Sequence, residues 1–301
     1  MRKIKTPSEK RKALRLALES KRIVRAPGAF LPLVGIEIER RGFEAVYISG
    51  AVLSADLGLP DIGLTTLTEV ADRAEQIARM TNLPAILDCD TGFGEPMNVA
   101  RCVEIMEARG IAALQFEDQF APKRCGHLDG KTLVGKEEMV RRIRAASEAR
   151  GDPDTVIIAR TDAFASEGLD GVVERSSAYV AAGADVIFAE ALNSAADWRA
   201  AVDAIPAPLL ANMTEFGKSD LLSAGELEKL GVRIVIYPVT LLRLAMKAAS
   251  AALQEILETG TQRKTLDAML TREELYDLLN YKDYNRFDQS IYNFTLKPER
   301  D

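Results

Sequence analysis

The chain has 301 residues, and its 39 Lys and Arg against 45 Asp and Glu give a formal net charge of −6. Apolar residues make up 47% of the chain and charged residues 28%, which is typical of a globular protein with a large core and excludes global disorder. The acidic balance disfavours a nucleic-acid partner. No uncharged stretch approaches the ~18 residues of a membrane span, so we also expect no membrane partner.

The single histidine, His127, limits the metal chemistry that this chain can support. Multi-histidine zinc sites and HExxH metalloproteases need at least two histidines, so a metal here must be held by oxygen ligands, as Mg²⁺ and Mn²⁺ are. The three cysteines, Cys89, Cys102 and Cys125, have no disulfide-framework spacing, and the basic N-terminus lacks the apolar segment of a secretory signal. We therefore expect a protein of the reducing cytoplasm.

Eight short runs rich in β-branched and apolar residues recur along the chain. They are apolar without interruption rather than alternating, which is typical of strands buried on both faces. The runs lie at 22–28, 45–50, 84–94, 112–119, 155–162, 184–191, 208–217 and 233–238. Each run predicts one strand of a sheet that is covered on both sides.

Amphipathic segments separate these runs. One spans 66–80, where Thr66 and Glu69 form a capping-box signature, and similar patterns occupy 96–109, 136–149, 168–182, 195–204 and 239–257. Alternating strands and helices indicate a parallel α/β fold, and no G-x-G-x-x-G follows the first strand, which disfavours a dinucleotide-binding fold. Eight βα units predict a (β/α)₈ TIM-type barrel over about 22–258, within a single domain spanning 1–301.

Additional helices flank the predicted barrel. Thr6 followed by Pro7 is an N-terminal cap signature, so we expect a helix before the first strand. After residue 258 come a glycine-containing break, a further helix over Leu266 to Leu279, and an aromatic tail from Tyr281. Since this segment, 259–301, lies outside a complete barrel yet carries apolar side chains, we expect it to dock on its own domain or on a neighbouring subunit.

Polar side chains stand at the ends of nearly all the predicted strands. They are Ser49, Asp88, Asp90, Glu117, Asp118, Arg160, Asp162, Glu190, Asn212 and Thr214. Asp and Asn also follow strands as ordinary turn residues, but such a series is better explained by function. Because the carboxyl ends of all strands meet on one face of a (β/α)₈ barrel, the sequence predicts an active site there.

Asp88 and Asp90 flank Cys89 at the end of the third predicted strand. Because strand side chains alternate, both carboxylates point to the same side. Two converging carboxylates repel unless a cation lies between them, and Mg²⁺ with several waters would satisfy them. Two loop-capping aspartates are the alternative, and Glu117 at the end of the next strand favours the metal because it could hold a metal-bound water.

The segment Lys123-Arg124-Cys125-Gly126-His127 follows the fourth predicted strand. Three potential cations around one thiol favour the thiolate, so Cys125 could exchange a proton with a substrate carbon, the alternative being an inert small residue. The following GHLDGKT is not a phosphate loop, since only three residues separate its glycines and no helix pattern begins at the lysine.

Seven segments carry a resemblance to a known family: YISG, DCDTGFG, FEDQ, KRCGH, ARTDA, ANMTEFG and TREELYDLLNYKDY. Over nearly its whole length the chain resembles the isocitrate lyase / phosphoenolpyruvate mutase superfamily, and most of all its 2-methylisocitrate lyase family. The resemblance implies a (β/α)₈ barrel, a helix-swapped homotetramer and dependence on Mg²⁺, with Mn²⁺ as a substitute. It also implies cleavage of a tricarboxylate, 2-methylisocitrate, to pyruvate and succinate in propionate breakdown by the methylcitrate cycle.

The resemblance also implies roles for individual residues. Asp88 and Asp90 match the metal-site pair, with Glu117 expected to contact the ion through water. Cys125 matches the catalytic acid, and Tyr47, near a strand end, is our candidate base. The expected substrate contacts are Ser49, Gly50, Ala51, Gly126, Arg160, Glu190, Asn212, Met213, Thr214, Arg243 and Arg272.

Alternative functions remain open at this stage. Isocitrate lyase and 2,3-dimethylmalate lyase share the motifs, and substrates that differ by one methyl group separate by only ~1–3 kcal/mol in a pocket. Isocitrate lyases are typically longer, with insertions that this chain lacks. A non-catalytic barrel acting as a binding protein is disfavoured because Asp88, Asp90, Cys125 and Arg160 are all present.

Overall fold

The computed structural model describes residues 3–123, 132–217 and 219–293. Its sheet consists of eight strands that pair in parallel. Each strand lies inside one of the eight predicted runs. The strands are β1 (Val24–Pro27), β2 (Val46–Ile48), β3 (Ala85–Asp88), β4 (Ala113–Glu117), β5 (Val156–Thr161), β6 (Val186–Ala189), β7 (Leu209–Asn212) and β8 (Ile234–Tyr237).

The strands follow each other around a closed barrel. Ladder pairing runs in the order β1-β8-β7-β6-β5-β4-β3-β2. Two backbone hydrogen bonds then join β2 to β1: the amide of Ala45 donates to the carbonyl of Arg25 at 3.4 Å, and the amide of Ala29 donates to that of Tyr47 at 2.9 Å. The predicted (β/α)₈ barrel is confirmed.

Helices occupy the connections between consecutive strands. They are α2 (Pro32–Arg40), α3 (Gly50–Asp56), α4 (Leu67–Ala78), α5 (Pro96–Ala108), α6 (Lys136–Glu148), α7 (Phe164–Ala181), α8 (Ala195–Ala204) and α9 (Ala224–Leu230). The predicted capping box of Thr66 and Glu69 opens α4. In α7 the backbone of Gly168 is non-helical, with φ of 67°, so the regular helix follows this residue, as the pattern from 168 predicted.

Side-chain alternation along the strands divides the core into two parts. Residues that point away from the barrel axis, such as Leu114 and Phe116 on β4, pack against the helices. Residues that point inward, such as Ile158 on β5 and Phe188 on β6, fill the barrel interior. Continuous burial on both faces is the reason that the strands read as uninterrupted apolar runs.

A helix before the barrel, α1 (Pro7–Glu19), covers the barrel end where the strands begin. Its Leu14 is fully buried in the interior core. Arg11 donates to the carbonyl of Ile111 at 3.0 Å, two residues before β4, and Arg15 donates to that of Thr155 at 2.7 Å, directly before β5. The predicted N-terminal helix therefore closes one end of the barrel, opposite the end where the strands finish.

The chain forms two compact units, the barrel unit Lys5–Ala245 and a second unit of Met1–Ile4 with Met246–Asp301. Helix α10 (Thr240–Thr259) crosses the boundary between these ranges. The second unit also holds a 3-10 helix (Arg263–Ala268), α11 (Arg272–Leu278) and α12 (Tyr281–Tyr292).

The aromatic segment from Tyr281, expected to be a tail, is helical as far as Tyr292. Its side chains at Tyr281, Tyr284 and Phe287 recur at three-residue spacing, which suits a helix face, and Tyr281 stacks on Tyr276 with ring centroids 4.7 Å apart. Over the described ranges, no helix combines the length and apolar character needed to cross a membrane.

Candidate active site

Asp88 and Asp90 lie together at the end of β3, beside the first residue of α3. Asp90 has a left-handed backbone, with φ of 49°. The amide of Gly50 donates to Asp88 Oδ2 at 3.2 Å, and the amide of Asp90 donates to Asp88 Oδ1 at 3.1 Å. A Cβ added to Gly50 would lie 2.9 Å from Asp90 Oδ1 and 3.2 Å from Asp88 Oδ2. Both carboxylates therefore border the backbone of Gly50, although Asp90 lies beyond the end of β3 and strand alternation does not extend to it.

Lys123 brings a buried positive charge to this pair. Its Nζ lies 2.8 Å from Asp90 Oδ1 and also pairs with Asp61, which is in the loop after α3. Burial raises the pKa of Asp90 to about 6, against the opposing effect of Lys123. Burial lowers the pKa of Lys123, but the surrounding carboxylates, Asp90 foremost, raise it well above its usual value. The ammonium is therefore held among carboxylates.

The carboxylate cluster fits a hard divalent ion. Glu117 Oε1 is buried and accepts no hydrogen bond from the described residues. Within those residues no three His, Cys, Asp or Glu side chains converge as a complete ligand set. Mg²⁺ does not need a complete set of protein ligands, because it is commonly held by one or two carboxylates with water and substrate oxygens as its remaining ligands. Asp88 and Asp90 fit such a site, with Glu117 as a further acceptor.

Tyr47 and Gln115 form a hydrogen-bonded support for Asp88 inside the barrel. The Tyr47 hydroxyl donates to Gln115 Oε1 at 2.6 Å, and Gln115 Nε2 donates to Asp88 Oδ1 at 3.0 Å. Burial, reinforced by the charge of Asp88, raises the pKa of Tyr47 well above its usual value. The hydroxyl is therefore a hydrogen-bond donor, and its geometry argues against use as a base.

Arg160, at the end of β5, is a buried cation beside Glu117. Its Nε and Nη2 donate to Asp162 at 2.9 and 3.1 Å, and Nε lies 3.4 Å from Glu117 Oε2. Its guanidinium lies over the Phe188 ring, 4.9 Å from the centroid. Burial lowers the pKa of Arg160, but Asp162, Glu190 and Glu117 raise it well above its usual value, so the charge is permanent.

Glu190 and Asn212 extend the site along β6 and β7. Glu190 Oε2 lies 3.7 Å from Arg160 Nη2, and the amide nitrogen of Asn212 lies 3.4 Å from each Glu190 carboxylate oxygen. Burial raises the pKa of Glu117 well above its usual value, although Arg160 and Lys123 oppose the shift. Two buried cations, Arg160 and Lys123, therefore lie among several carboxylates at the mouth of the barrel.

A separate group of interacting side chains surrounds Arg243, at the ends of β7 and β8. Arg243 Nη1 lies 3.5 Å from the Thr214 hydroxyl and donates to the Glu215 carboxylate at 2.8 Å. Its guanidinium lies 5.5 Å from the centroid of the Phe216 ring. The Met213 side chain points elsewhere, into the core between strands and helices, where its sulfur accepts from the amide of Leu222 at 3.3 Å.

The remaining predicted residues are distributed as follows. Ser49 is the buried N-cap of α3, and Ala51 is the second residue of that helix. Arg272 opens α11 in the second unit. Cys125 and Gly126 lie outside the described residues.

Sequence reasoning did not single out Gln115 or Asp61, and it placed Lys123 with Cys125 rather than with carboxylates. The alternation that put Glu117 in the barrel also places Gln115 there, two residues earlier, so that signal was available. Asp61 gave no comparable signal, since it lies in an irregular loop.

Comparisons with known proteins agree with this geometry. Residues 15–257 match the phosphoenolpyruvate phosphomutase family. Two curated relatives from Corynebacterium glutamicum are named probable 2-methylisocitrate lyase 1 and 2. The first is 59% identical over 286 residues, covering 95% of this chain and 94% of the relative. The second is 57% identical over 289 residues, covering 96% and 94%.

Solved structures give the same assignment. An oxaloacetate acetylhydrolase with 3,3-difluorooxalacetate superposes with a TM-score of 0.90 at 35% identity, covering 97% of this chain and all of that one. A 2,3-dimethylmalate lyase, described as a member of the PEP mutase/isocitrate lyase superfamily, gives 0.88 at 35%, covering 98% and 100%. A phosphonopyruvate hydrolase with oxalate and Mg²⁺ gives 0.84 at 31%, covering 97% and 100%. The chain therefore belongs to the phosphoenolpyruvate phosphomutase family, within the superfamily that also contains isocitrate lyase.

Proposed function

We propose that this protein is a carbon–carbon lyase that cleaves 2-methylisocitrate to pyruvate and succinate. The observation that carries the proposal is a buried cation, Arg160, beside the Glu117 carboxylate at the end of the barrel where the strands finish, with the buried carboxylates of Asp88 and Asp90 at that same end. This arrangement suits an α-hydroxy carboxylate bound beside a divalent ion. The relatives named 2-methylisocitrate lyase support the choice of substrate.

Arg160 would bind the carboxylate next to the hydroxyl-bearing carbon. Its guanidinium is fixed on one edge by Asp162 and on one face by Phe188, so little rotational freedom is lost when substrate binds. A guanidinium held this way presents its remaining N–H groups as a fork, which matches carboxylate geometry.

Mg²⁺, or Mn²⁺ in its place, would be held by Asp88 and Asp90, with Glu117 in contact through water. When bound, the ion supplies positive charge that acidifies the substrate hydroxyl and orients its oxygens. Gln115 and the amide of Gly50 fix the two oxygens of Asp88 in advance.

Cleavage breaks the bond between C2, which carries the hydroxyl, and C3. As the C2 hydroxyl loses its proton, C2 becomes the carbonyl of pyruvate, and the bonding electrons pass to C3. Glu117 suits the departing proton, because burial raises its pKa well above its usual value and its Oε1 accepts no hydrogen bond from the described residues. Asn212 and Thr214 would donate hydrogen bonds to the succinate carboxylate that delocalises the charge. Cys125 would then protonate C3, by resemblance to the family.

Tyr47 receives a different role from the one expected. Because its hydroxyl donates to Gln115 and its pKa is raised, we propose that Tyr47 orients Gln115 beneath Asp88.

A substrate panel tests this function. The purified protein with Mg²⁺ is assayed for pyruvate and glyoxylate release from 2-methylisocitrate, isocitrate and 2,3-dimethylmalate. A pocket that gains from one buried methyl group should prefer 2-methylisocitrate over isocitrate by roughly 10–200-fold in kcat/KM. Equal or faster cleavage of isocitrate would identify an isocitrate lyase instead. Binding of oxalate and Mg²⁺ without turnover of any of the three would support a binding protein.

We further propose that the protein is a helix-swapped homotetramer in the cytoplasm, active in propionate breakdown. Helix α10 has no buried residue, and apolar side chains including Leu253 and Leu257 are exposed on it. Such a face needs a covering surface, and a second copy of the chain would supply it. The helices after α10 belong to the same expected interface, so truncation after residue 258, which removes 259–301, should give smaller or aggregated species by light scattering. A stable tetramer that lacks 259–301 would contradict the proposed assembly.

Cys89 and Cys102 are buried free thiols, which suits a reducing compartment.

A further inference from the structure

Asp118 follows Glu117 directly but lies on the other side of β4, towards α7, so the chemistry proposed above does not use it. Its carboxylate is fully buried and accepts four hydrogen bonds. Oδ2 accepts from the Thr161 hydroxyl at 2.7 Å, the Tyr179 hydroxyl at 2.9 Å and Arg175 Nη1 at 3.3 Å. Oδ1 accepts from the amide of Asp162 at 3.0 Å.

Asp118 holds the backbone at Arg160 and at Asp162, two residues later. The carbonyl of Arg160 accepts from the amide of Asp118 at 3.2 Å, and Asp118 Oδ1 fixes the amide of Asp162. The Asp162 side chain in turn holds the Arg160 guanidinium through two hydrogen bonds. A displacement of the Asp162 backbone would therefore turn the guanidinium.

Asp118 also connects the end of β4 to α7 and to the chain around Val134. Arg175 donates to Asp118 and, at 3.0 Å, to the carbonyl of Val134, whose own amide donates to the Asp118 carbonyl at 2.9 Å. The other edge of the Arg175 guanidinium binds Glu167 through two contacts of 2.7 Å. Asp118 is thus held from several elements and cannot move independently of them.

We propose that Asp118, supported by Tyr179 and Arg175 of α7, is a positioning residue that acts through Asp162 to hold the Arg160 guanidinium in the orientation that receives the substrate carboxylate. The proposal rests on the proposed function in one respect, the use of Arg160 as carboxylate anchor. A positioning role of this kind affects ground state and transition state alike, so its loss raises KM and leaves kcat nearly unchanged.

The test uses Asp118→Asn, Tyr179→Phe and, as a matched control, Ser177→Ala in the full-length protein. Ser177 is also on α7, but its hydroxyl donates to the carbonyl of Val173 within the helix. Calorimetry measures the affinity for oxalate, the probe of the carboxylate site, in the presence of Mg²⁺. Steady-state kinetics with 2-methylisocitrate give KM and kcat, and thermal unfolding checks that each variant is folded.

Asp118→Asn should weaken oxalate binding and raise KM by about fivefold to tenfold, the range for one or two lost hydrogen bonds, with kcat within about twofold. Tyr179→Phe should show about a twofold to threefold change in the same direction, and Ser177→Ala none. If Asp118→Asn does not fold, Tyr179→Phe against Ser177→Ala decides. Unchanged oxalate affinity and KM in the folded variants, or a loss confined to kcat, would overturn the proposal.

Failure of the proposed function is distinguishable from this outcome. A wild-type protein that binds oxalate but cleaves no panel substrate, with weakened oxalate binding in Asp118→Asn, would refute the lyase function and support the positioning role. Normal cleavage of a panel substrate, with unaltered oxalate affinity in the variants, would support the lyase function and refute the positioning role.

Discussion

Gly50→Ala is a sharp test of the metal site, because the change adds one carbon atom where two carboxylates meet the backbone. Gly50 lies in helical backbone at the start of α3, so alanine is conformationally permitted. The new Cβ would lie 2.9 Å from Asp90 Oδ1 and 3.2 Å from Asp88 Oδ2, both shorter than ordinary van der Waals contacts. At least one carboxylate must therefore shift by several tenths of an ångström.

The contacts of Asp88 and Asp90 resist this shift, and the shift would weaken the binding of Mg²⁺. Asp88 is held by Gln115 and by the amide of Gly50, and Asp90 is paired with Lys123. Mg²⁺ demands near-ideal octahedral geometry, with ligands at about 2.0–2.1 Å. Disturbing the groups that orient metal ligands typically weakens metal affinity by about 10–100-fold, and we expect at least about tenfold here. Overpacking should also reduce the free energy of unfolding by about 1–3 kcal/mol, partly offset by the higher helix propensity of alanine.

Gly225→Ala is the matched control. Gly225 also lies in the first turn of a helix, α9, and a Cβ there would meet no atom within 4 Å. It should leave Mg²⁺ affinity unchanged and raise the free energy of unfolding by about 0.5–1 kcal/mol. Mn²⁺ binding followed by electron paramagnetic resonance, together with Mg²⁺ activation curves, supplies the affinities. A Gly50→Ala protein whose Mn²⁺ and Mg²⁺ affinities match those of Gly225→Ala would refute the reasoning.

Four other outcomes are expected. Arg160→Lys replaces a fork with a point charge and cannot make both contacts with Asp162, so KM should rise at least about tenfold in steady-state assays; an unchanged KM would contradict the anchor role. Cys125→Ser should lower kcat by at least ~10²-fold while calorimetry still detects oxalate binding, and near-normal turnover would refute the proton-donor assignment. Exhaustive EDTA treatment should abolish activity, with Mg²⁺ or Mn²⁺ restoring it and Zn²⁺ doing so poorly; activity that survives chelation would exclude a metal role. Burial raises the pKa of Asp90 from 3.8 to about 6, so its contribution to the stability of the metal-free protein is complete below pH ~4 and is lost as the pH rises through 6. Urea titrations in EDTA should therefore show that Asp90→Asn reduces the fall in the free energy of unfolding between pH 5 and 7.5 by about 1–2 kcal/mol, and an unaltered fall would contradict this origin.

The barrel and half of the site could be predicted because they depend on local alternation. Continuous apolar runs located all eight strands, and a side-chain period of two placed Asp88 inside the barrel at the end of β3. Asp90 does lie beside Asp88, but it follows the strand and reaches this position through a left-handed backbone, not through strand alternation. The same period places Glu117 and Arg160 inside the barrel. These properties are fixed within a few residues of chain.

The rest depends on contacts between distant segments, which no local pattern encodes. Four acidic residues raise the pKa of Lys123, and only the packing of the loop after α3 determines that Asp61 is one of them. Tyr47 was the candidate base because of its position at a strand end. Its partner Gln115 is on a strand that is not adjacent to β2, so the contact arises across the barrel interior.

Helix α1, which closes the end of the barrel where the strands begin, has a consequence for synthesis on the ribosome. Arg15 binds the carboxylate of Asp185 at 2.8 Å, and these residues are 170 positions apart. At the usual translation rate of about 5–20 residues per second, α1 waits roughly 10–35 s for that partner to be made. Throughout this interval Leu14 has no barrel interior to enter, and β1 waits still longer for β8. The nascent chain therefore carries an amphipathic helix without its core partner and an open sheet edge for most of its synthesis, and such surfaces favour aggregation until the barrel closes.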